Sequence, residues 1–158
     1  MWAPPCLGIR GQPPAIQEVL AMPTVSALTY VHLLTDDGGR MPLRAHFFYS
    51  PVDPYAVRAE FFDRRTAVEG WHFDRQMMAD GMQRRVGEGD VGFRPQWNGT
   101  TGEVRMDLRD RAAAGRRSAV LCVSAEALAC FLERTYAVTP AGAEVVDLDA
   151  VLENLLAR

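Results

Sequence analysis

The residues of this chain able to do chemistry are few and scattered. His32, His46 and His72 all fall in stretches of strand character, with no i, i+4 pair and no carboxylate linked to any of them. That spacing offers neither a metal site nor a general base. No Gly-x-Ser-x-Gly elbow presents a nucleophilic serine, and no cysteine has a histidine near it in sequence. Cys6, Cys122 and Cys130 lack metal-type spacing and are odd in number. Cys122 lies in a β-type run and Cys130 in a helical one, both flanked by apolar residues, so these read as small buried hydrophobes. The paired acids Asp36-Asp37 precede Gly38-Gly39, where aspartate serves a turn. These patterns predict no catalytic centre, no metal and no cofactor.

Binding chemistry has more candidates. Gly87-Glu88-Gly89-Asp90-Val91-Gly92 matches a dinucleotide fingerprint in letters only. A phosphate-binding loop must leave a strand and open a helix, whereas this one follows a helical stretch and opens a strand, with Glu88 and Asp90 set against phosphate. It reads as a turn. Asn98-Gly99-Thr100 fits a glycosylation sequon but is the centre of a hairpin signal. The arginine pairs Arg64-Arg65, Arg84-Arg85 and Arg116-Arg117 sit at turns or element ends, beside Asp63, Glu88 and Asp110. Solvated edges are the default for such pairs, and contact with an anionic partner is the functional reading, with Arg64, Arg65, Arg84 and Arg85 as the candidates. Phe47, Phe48, Phe61, Phe62, Trp71, Phe73, Phe93 and Trp97 suggest a stacking platform for single-stranded nucleic acid, set against core packing on alternating strands.

The elements that must position these residues follow from periodicity. Thr24–Thr35, Pro42–Tyr49, Tyr55–Asp63 and Thr66–Phe73 read as strands, the third with Tyr55, Val57, Ala59 and Phe61 on one face and Arg58 and Glu60 on the other. Asp74 is suited to cap a helix running to about Val86. Asp90–Trp97 and Thr101–Asp110 form a hairpin through Asn98-Gly99. In the second of these strands Val104, Met106 and Leu108 point inward, with Glu103, Arg105, Asp107 and Arg109 outward. Ala112–Arg117 is a loop, and Arg117–Val123 is apolar on both faces, as a central strand must be. Ser124 caps a helix with Leu128, Phe131, Leu132 and Thr135 on one stripe, which Pro140 and Gly142 end. A last helix from about Asp147 repeats the spacing with Leu148, Val151, Leu152 and Leu155. Seven strands and three helices make an α+β fold.

The chain has 158 residues, 48% apolar and 23% charged, which suits one globular domain able to bury a core without metal or disulfides. A net charge of −3 argues against a strong electrostatic grip on nucleic acid. No apolar run approaches the ~20 residues of a membrane span. Met1–Ile9 lacks a basic segment ahead of its apolar stretch, so a cytoplasmic protein is expected. Residues 1–23 hold five of the ten prolines and read as a flexible tail ahead of a domain spanning 24–158.

Several ordered blocks carry a likeness to a known family. They are Asp53-Pro54-Tyr55-Ala56-Val57, Trp71-His72-Phe73-Asp74-Arg75, Ala79-Asp80-Gly81, Gly89-Asp90-Val91 and the stretch from Leu121-Cys122-Val123-Ser124 through Phe131-Leu132-Glu133-Arg134-Thr135 and Pro140-Ala141-Gly142 to Asp147-Leu148-Asp149. In this order they resemble the SsgA-like proteins of actinomycetes. The resemblance implies a non-enzymatic regulator of sporulation-specific cell division, acting at the septum or on the spore wall through contacts with FtsZ or other SsgA-like proteins. It also implies a Whirly-like fold of two antiparallel β-sheets packed against each other with about three helices, assembled as a homotrimer. Because Whirly folds elsewhere bind single strands, a nucleic-acid-binding module is the alternative. Gly92 and the loop Ala112–Arg117 depart from the family's usual residues.

The tail contributes few apolar groups to offset the entropy of ordering it. A chain starting at Met22 is therefore expected to melt within a few degrees of the full chain. Loss of cooperative unfolding would refute that.

Overall fold

Two meanders of four antiparallel strands, each closed by a capped helix, build the chain. The structure, a computed structural model, describes residues 23–64, 66–110 and 117–157. The first meander is β1 (Val25–Leu34), β2 (Arg40–Tyr49), β3 (Ala56–Asp63) and β4 (Thr66–Asp74), followed by α1 (Arg75–Gly81). The second is β5 (Val86–Glu88), β6 (Val91–Asn98), β7 (Thr101–Asp110) and β8 (Arg117–Ser124), followed by α2 (Ala125–Val138) and then α3 (Leu148–Leu156). Each meander ends on the expected cap. The Asp74 carboxylate accepts from the Met77 amide at 2.7 Å, and the Ser124 hydroxyl accepts from the Ala127 amide at 3.3 Å.

The α+β expectation stands, but the two-sheet arrangement does not. All eight strands form one sheet in the order β4-β3-β2-β1-β8-β7-β6-β5. The meanders join because β1 pairs with β8 over Val31–Leu33 and Leu121–Val123. That seam is short, while β1 runs ten residues against β2. The sheet then curls, bringing its two ends around one core. Phe73 of β4 meets Phe93 of β6 edge-on, with ring centroids 5.4 Å apart, although five strands lie between them in the sheet order. Helix α1 plugs the gap between β4 and the β5–β6 end, and α2 lies across β1, β7 and β8.

The eighth strand arises where a longer helix was expected. Helix α1 stops at Gly81 rather than near Val86, and Gly81 lies so close to β6 that a Cβ there would stand 2.2 Å from that of Phe93. The released chain pairs as β5 with β6, and the Gly89 turn between them takes a φ of +60°. The Gly87–Gly92 segment is thus a hairpin turn between strands, which is not the geometry of a phosphate loop. The β6–β7 loop is Gly99-Thr100, one residue later than expected, with Asn98 pairing to Thr101 and Gly99 at a φ of +61°.

Val104, Met106, Leu108, Leu121, Val123, Leu128, Phe131 and Leu132 are all buried, so strand register and helical face are as the periodicity requires. Tyr55 instead precedes β3 and is exposed. Cys122 is a buried free thiol, whereas Cys130 is half-buried and not free, so the plain buried-hydrophobe reading fails for Cys130. Cys6, the segment 1–22, Arg65 and residues 111–116 lie outside the described residues.

One charged side chain sits inside this core. Arg75, 1% exposed, donates to the Thr135 and Thr139 carbonyls at 3.1 and 2.8 Å and pairs with Glu144 at 2.8 Å. Its guanidinium also lies over the Tyr136 ring at 4.0 Å and the Tyr49 ring at 4.8 Å. The hydrogen bonds from its own backbone amide and then from Arg75 hold the Glu144 carboxyl below the usual glutamate range. Burial pushes the Tyr136 hydroxyl up, against the pull of Arg75. Arg75→Met strands a carboxylate and two carbonyls, and the expected loss in urea unfolding is about 3–5 kcal/mol. A folded-state pKa below the unfolded one means that the Glu144 contribution is full above ~4.3 and fades as pH falls through the lower folded value. Glu144→Gln should accordingly show a flatter decline in stability on the acid side than the parent chain.

Candidate functional surfaces

The face of the sheet turned away from α1 and α2 carries the polar chemistry. Alternation puts Arg94 and Gln96 of β6, Glu103, Arg105, Asp107 and Arg109 of β7 and Cys122 of β8 on that outer face. Near the seam it closes over itself. Glu103, expected outward, does lie on the outer face but is only 6% exposed, because Arg40 pairs with it and the Gln96 amide donates to it at 3.2 Å. The same amide approaches the Cys122 sulfur at 2.9 Å. Burial first, and the Glu103 charge second, push the Cys122 thiol above its ordinary value, so it stays protonated and is no nucleophile at neutral pH.

Further out the face opens into a trough of about 650 Å³ beside the β5–β6 hairpin. Arg94 stands directly opposite Arg105, and Arg85 immediately precedes Val86, the partner of Phe93. Arg85 just ahead of β5, Arg94 on β6 and Arg105 on β7 therefore form a row across this end of the sheet. The next row down holds Gly87 paired with Gly92, followed by Asp107, so the floor there is bare backbone. Arg105 bonds Asp107 at 2.9 Å, while Arg85, Arg94 and Arg109 engage no acidic side chain among the described residues.

Two exposed apolar features complete the surface. Leu28 and Tyr30 stand out on the outer face of β1, both well over half exposed. Helix α3 leaves Leu148, Leu152, Leu155 and Leu156 exposed, so these leucines find little cover among the described residues.

The four arginines singled out from sequence do not come together. Arg64 sits in the β3–β4 turn with a φ of +56°, its carbonyl accepting from Arg44 at 2.8 Å. Arg84 is engaged by Asp80 one helical turn back, and only Arg85 reaches the trough. Arg94, Arg105 and Arg109 are not adjacent in sequence and escape a search for pairs. Their signal lies in the alternation of β7 together with the register of the β6–β7 hairpin. The stacking platform does not form either. Phe47, Phe61, Phe73 and Phe93 are buried, Phe48 lies under Arg58, and of the eight only Trp97 is largely exposed. The histidines sit apart on β1, β2 and β4. Among the described residues, no group of three or more His, Cys, Asp or Glu is placed to hold a metal. No described helix is long and apolar enough to cross a membrane.

Comparison with known proteins agrees with this architecture. Residues 43–144 match the family described as Streptomyces sporulation and cell division protein, SsgA. The chain is 35% identical over 137 residues to the sporulation-specific cell division protein SsgB of Streptomyces coelicolor, covering 85% of this chain and 97% of that protein. It is 32% identical to the SsgB of Frankia casuarinae, over 84% of this chain and 92% of that one. A solved SsgB structure from Streptomyces coelicolor superposes with a TM-score of 0.71 at 34% identity, over 78% of this chain and 95% of that chain. A crystal structure of an SsgA-like sporulation-specific cell division protein from Thermobifida fusca gives 0.72 at 31%, over 86% and 96%. By sequence over most of its length, and by a fold that superposes on theirs, this chain belongs to the SsgA family of sporulation and cell division proteins.

Proposed function

We propose that this chain is a non-enzymatic regulator of sporulation-specific cell division. It positions septa, or organises spore-wall synthesis at them, through protein–protein contacts with the division machinery. The observation that carries this reading is its relation, along more than four-fifths of its length, to proteins named as sporulation-specific cell division proteins. The surfaces suit such a role. An arginine row lining an open trough and two exposed apolar features are binding chemistry, and the one free described cysteine is a buried, protonated thiol.

FtsZ and other SsgA-like proteins are the partners this reading favours, met on the cytoplasmic side of the septum. The two four-stranded halves, each ending in a capped helix, are continuous through the β1–β8 seam, and a Whirly-like fold enters this reading from the family resemblance alone. A homotrimer follows from the same likeness, and the exposed leucines of α3 supply apolar surface for it. Repeated display of one surface strengthens individually weak contacts with a filament-forming partner, because later contacts form at high effective concentration.

A fluorescent fusion is expected to form foci at septa in sporulating hyphae. Diffuse signal, with normal septation in a strain lacking the protein, would overturn the reading. Light scattering should give three times 17.5 kDa. Leu152→Asp together with Leu155→Asp should lower that mass to the single chain, leave the circular dichroism unchanged and disperse the foci. A monomeric parent chain that still forms foci would remove multivalent display from the mechanism.

A further inference from the structure

The arginine row carries a more specific assignment. Like charges directly opposite on neighbouring strands destabilise a sheet, yet Arg94 faces Arg105 with Arg85 beside it. Asp107 engages Arg105 but leaves Arg85, Arg94 and Arg109 without an acidic partner among the described residues. Below the row, the Gly87–Gly92 pair removes the side chains that would fill the trough. A Cβ at Gly87 would lie 3.1 Å from the Val91 carbonyl oxygen, a tight contact, so a side chain at this end of the floor would have to push its neighbour aside. β5 is the last strand of the sheet, and among the described residues no further strand pairs with its outer edge.

We propose that this trough docks an acidic, extended segment of a protein partner, with carboxylates seated over the glycine floor and held by Arg85 and Arg94, and Arg109 flanking. Guanidinium groups suit that role because they bind carboxylates bidentately. The surroundings favour a peptide over a nucleic acid. Glu88, Asp90 and Asp107 line the same trough and would repel phosphates fixed along a nucleic-acid backbone, whereas glutamate side chains on their flexible stems can turn away from them. The only aromatic residue lining it, Phe93, is buried, so no ring is offered for a base to stack on. The assignment rests on the partner-binding reading above only in taking the partner to be a protein.

The test is fluorescence anisotropy of a labelled hexaglutamate peptide with the full chain at low ionic strength. Saturable binding that weakens with added salt is expected, with none for hexalysine. The double variant R85A/R94A should bind on the order of tenfold more weakly or worse. Gly92→Val, which fills the floor and keeps every arginine, should also weaken binding. Arg84→Ala, which removes only the exposed pair with Asp80, should bind as the parent does. Circular dichroism melts keep any loss of binding separate from loss of fold. Absence of hexaglutamate binding by the parent, or equal binding by R85A/R94A and Gly92→Val, would overturn the proposal. So would tighter binding of oligothymidylate through the same arginines, which would give the row to nucleic acid. Septal foci separate this failure from that of the division reading. Foci retained by a parent that ignores hexaglutamate remove the trough alone, and peptide binding without foci removes the division role alone.

Discussion

A single buried guanidinium decides how the two halves of this molecule meet. Arg75 opens α1, its amide donates to the Tyr55 carbonyl at 2.8 Å, and its side chain reaches the last turn of α2 and Glu144 beyond it. A cation taken out of water at this depth is costly unless every donor is satisfied, and here aromatic faces, carbonyls and a carboxylate share it. The two carbonyls belong to the C-terminal end of α2, where a positive charge also complements the helix dipole. Because α1 closes the first meander and α2 the second, this cluster fixes one against the other. The placement of α1 then sets the curl of the sheet, since α1 separates β4 from the β5–β6 end and backs the contact between Phe73 and Phe93.

The rest of the architecture reads as one theme used twice. Four strands and a capped helix are followed by four strands and a capped helix, and the meanders join along the short β1–β8 seam. At the seam the sheet is buried on both faces. Leu121 and Val123 enter the core, while Cys122 is covered on the other side by the neighbourhood of Arg40, Gln96 and Glu103. The apolar run Leu121–Val123 announced that two-sided burial. The outer cover is ionic, and it turns an outward-pointing glutamate into a buried one.

Away from the seam the outer face is free to bind. The row of arginines and the exposed β1 side chains lie on strands whose opposite faces are buried in the core. A binding surface on a rigid sheet loses less entropy on contact than one on a loop, which suits a protein whose work is adhesion.

The sequence by itself determined local structure: the α+β class, the caps at Asp74 and Ser124, the faces of β7 and α2, and the central place of β8. Each of these depends on neighbours a few residues away, or on a period of 2 or 3.6. Family membership was legible for a similar reason, since ordered blocks survive as linear patterns. Only the tertiary structure decided whether the two meanders share a sheet, since a three-pair seam leaves no periodicity to read. The close approach of Gly81 to Phe93, twelve residues further along the chain, was likewise visible only in the folded structure. The arginine row was hidden by a single residue of loop position. A loop centred on Asn98-Gly99 sets Arg94 opposite Glu103, an ordinary ion pair, whereas the actual Gly99-Thr100 loop moves the ladder by two and sets Arg94 opposite Arg105. A shift of two keeps every side chain on its own face, so alternation predicts burial correctly in both registers and cannot tell which charges meet.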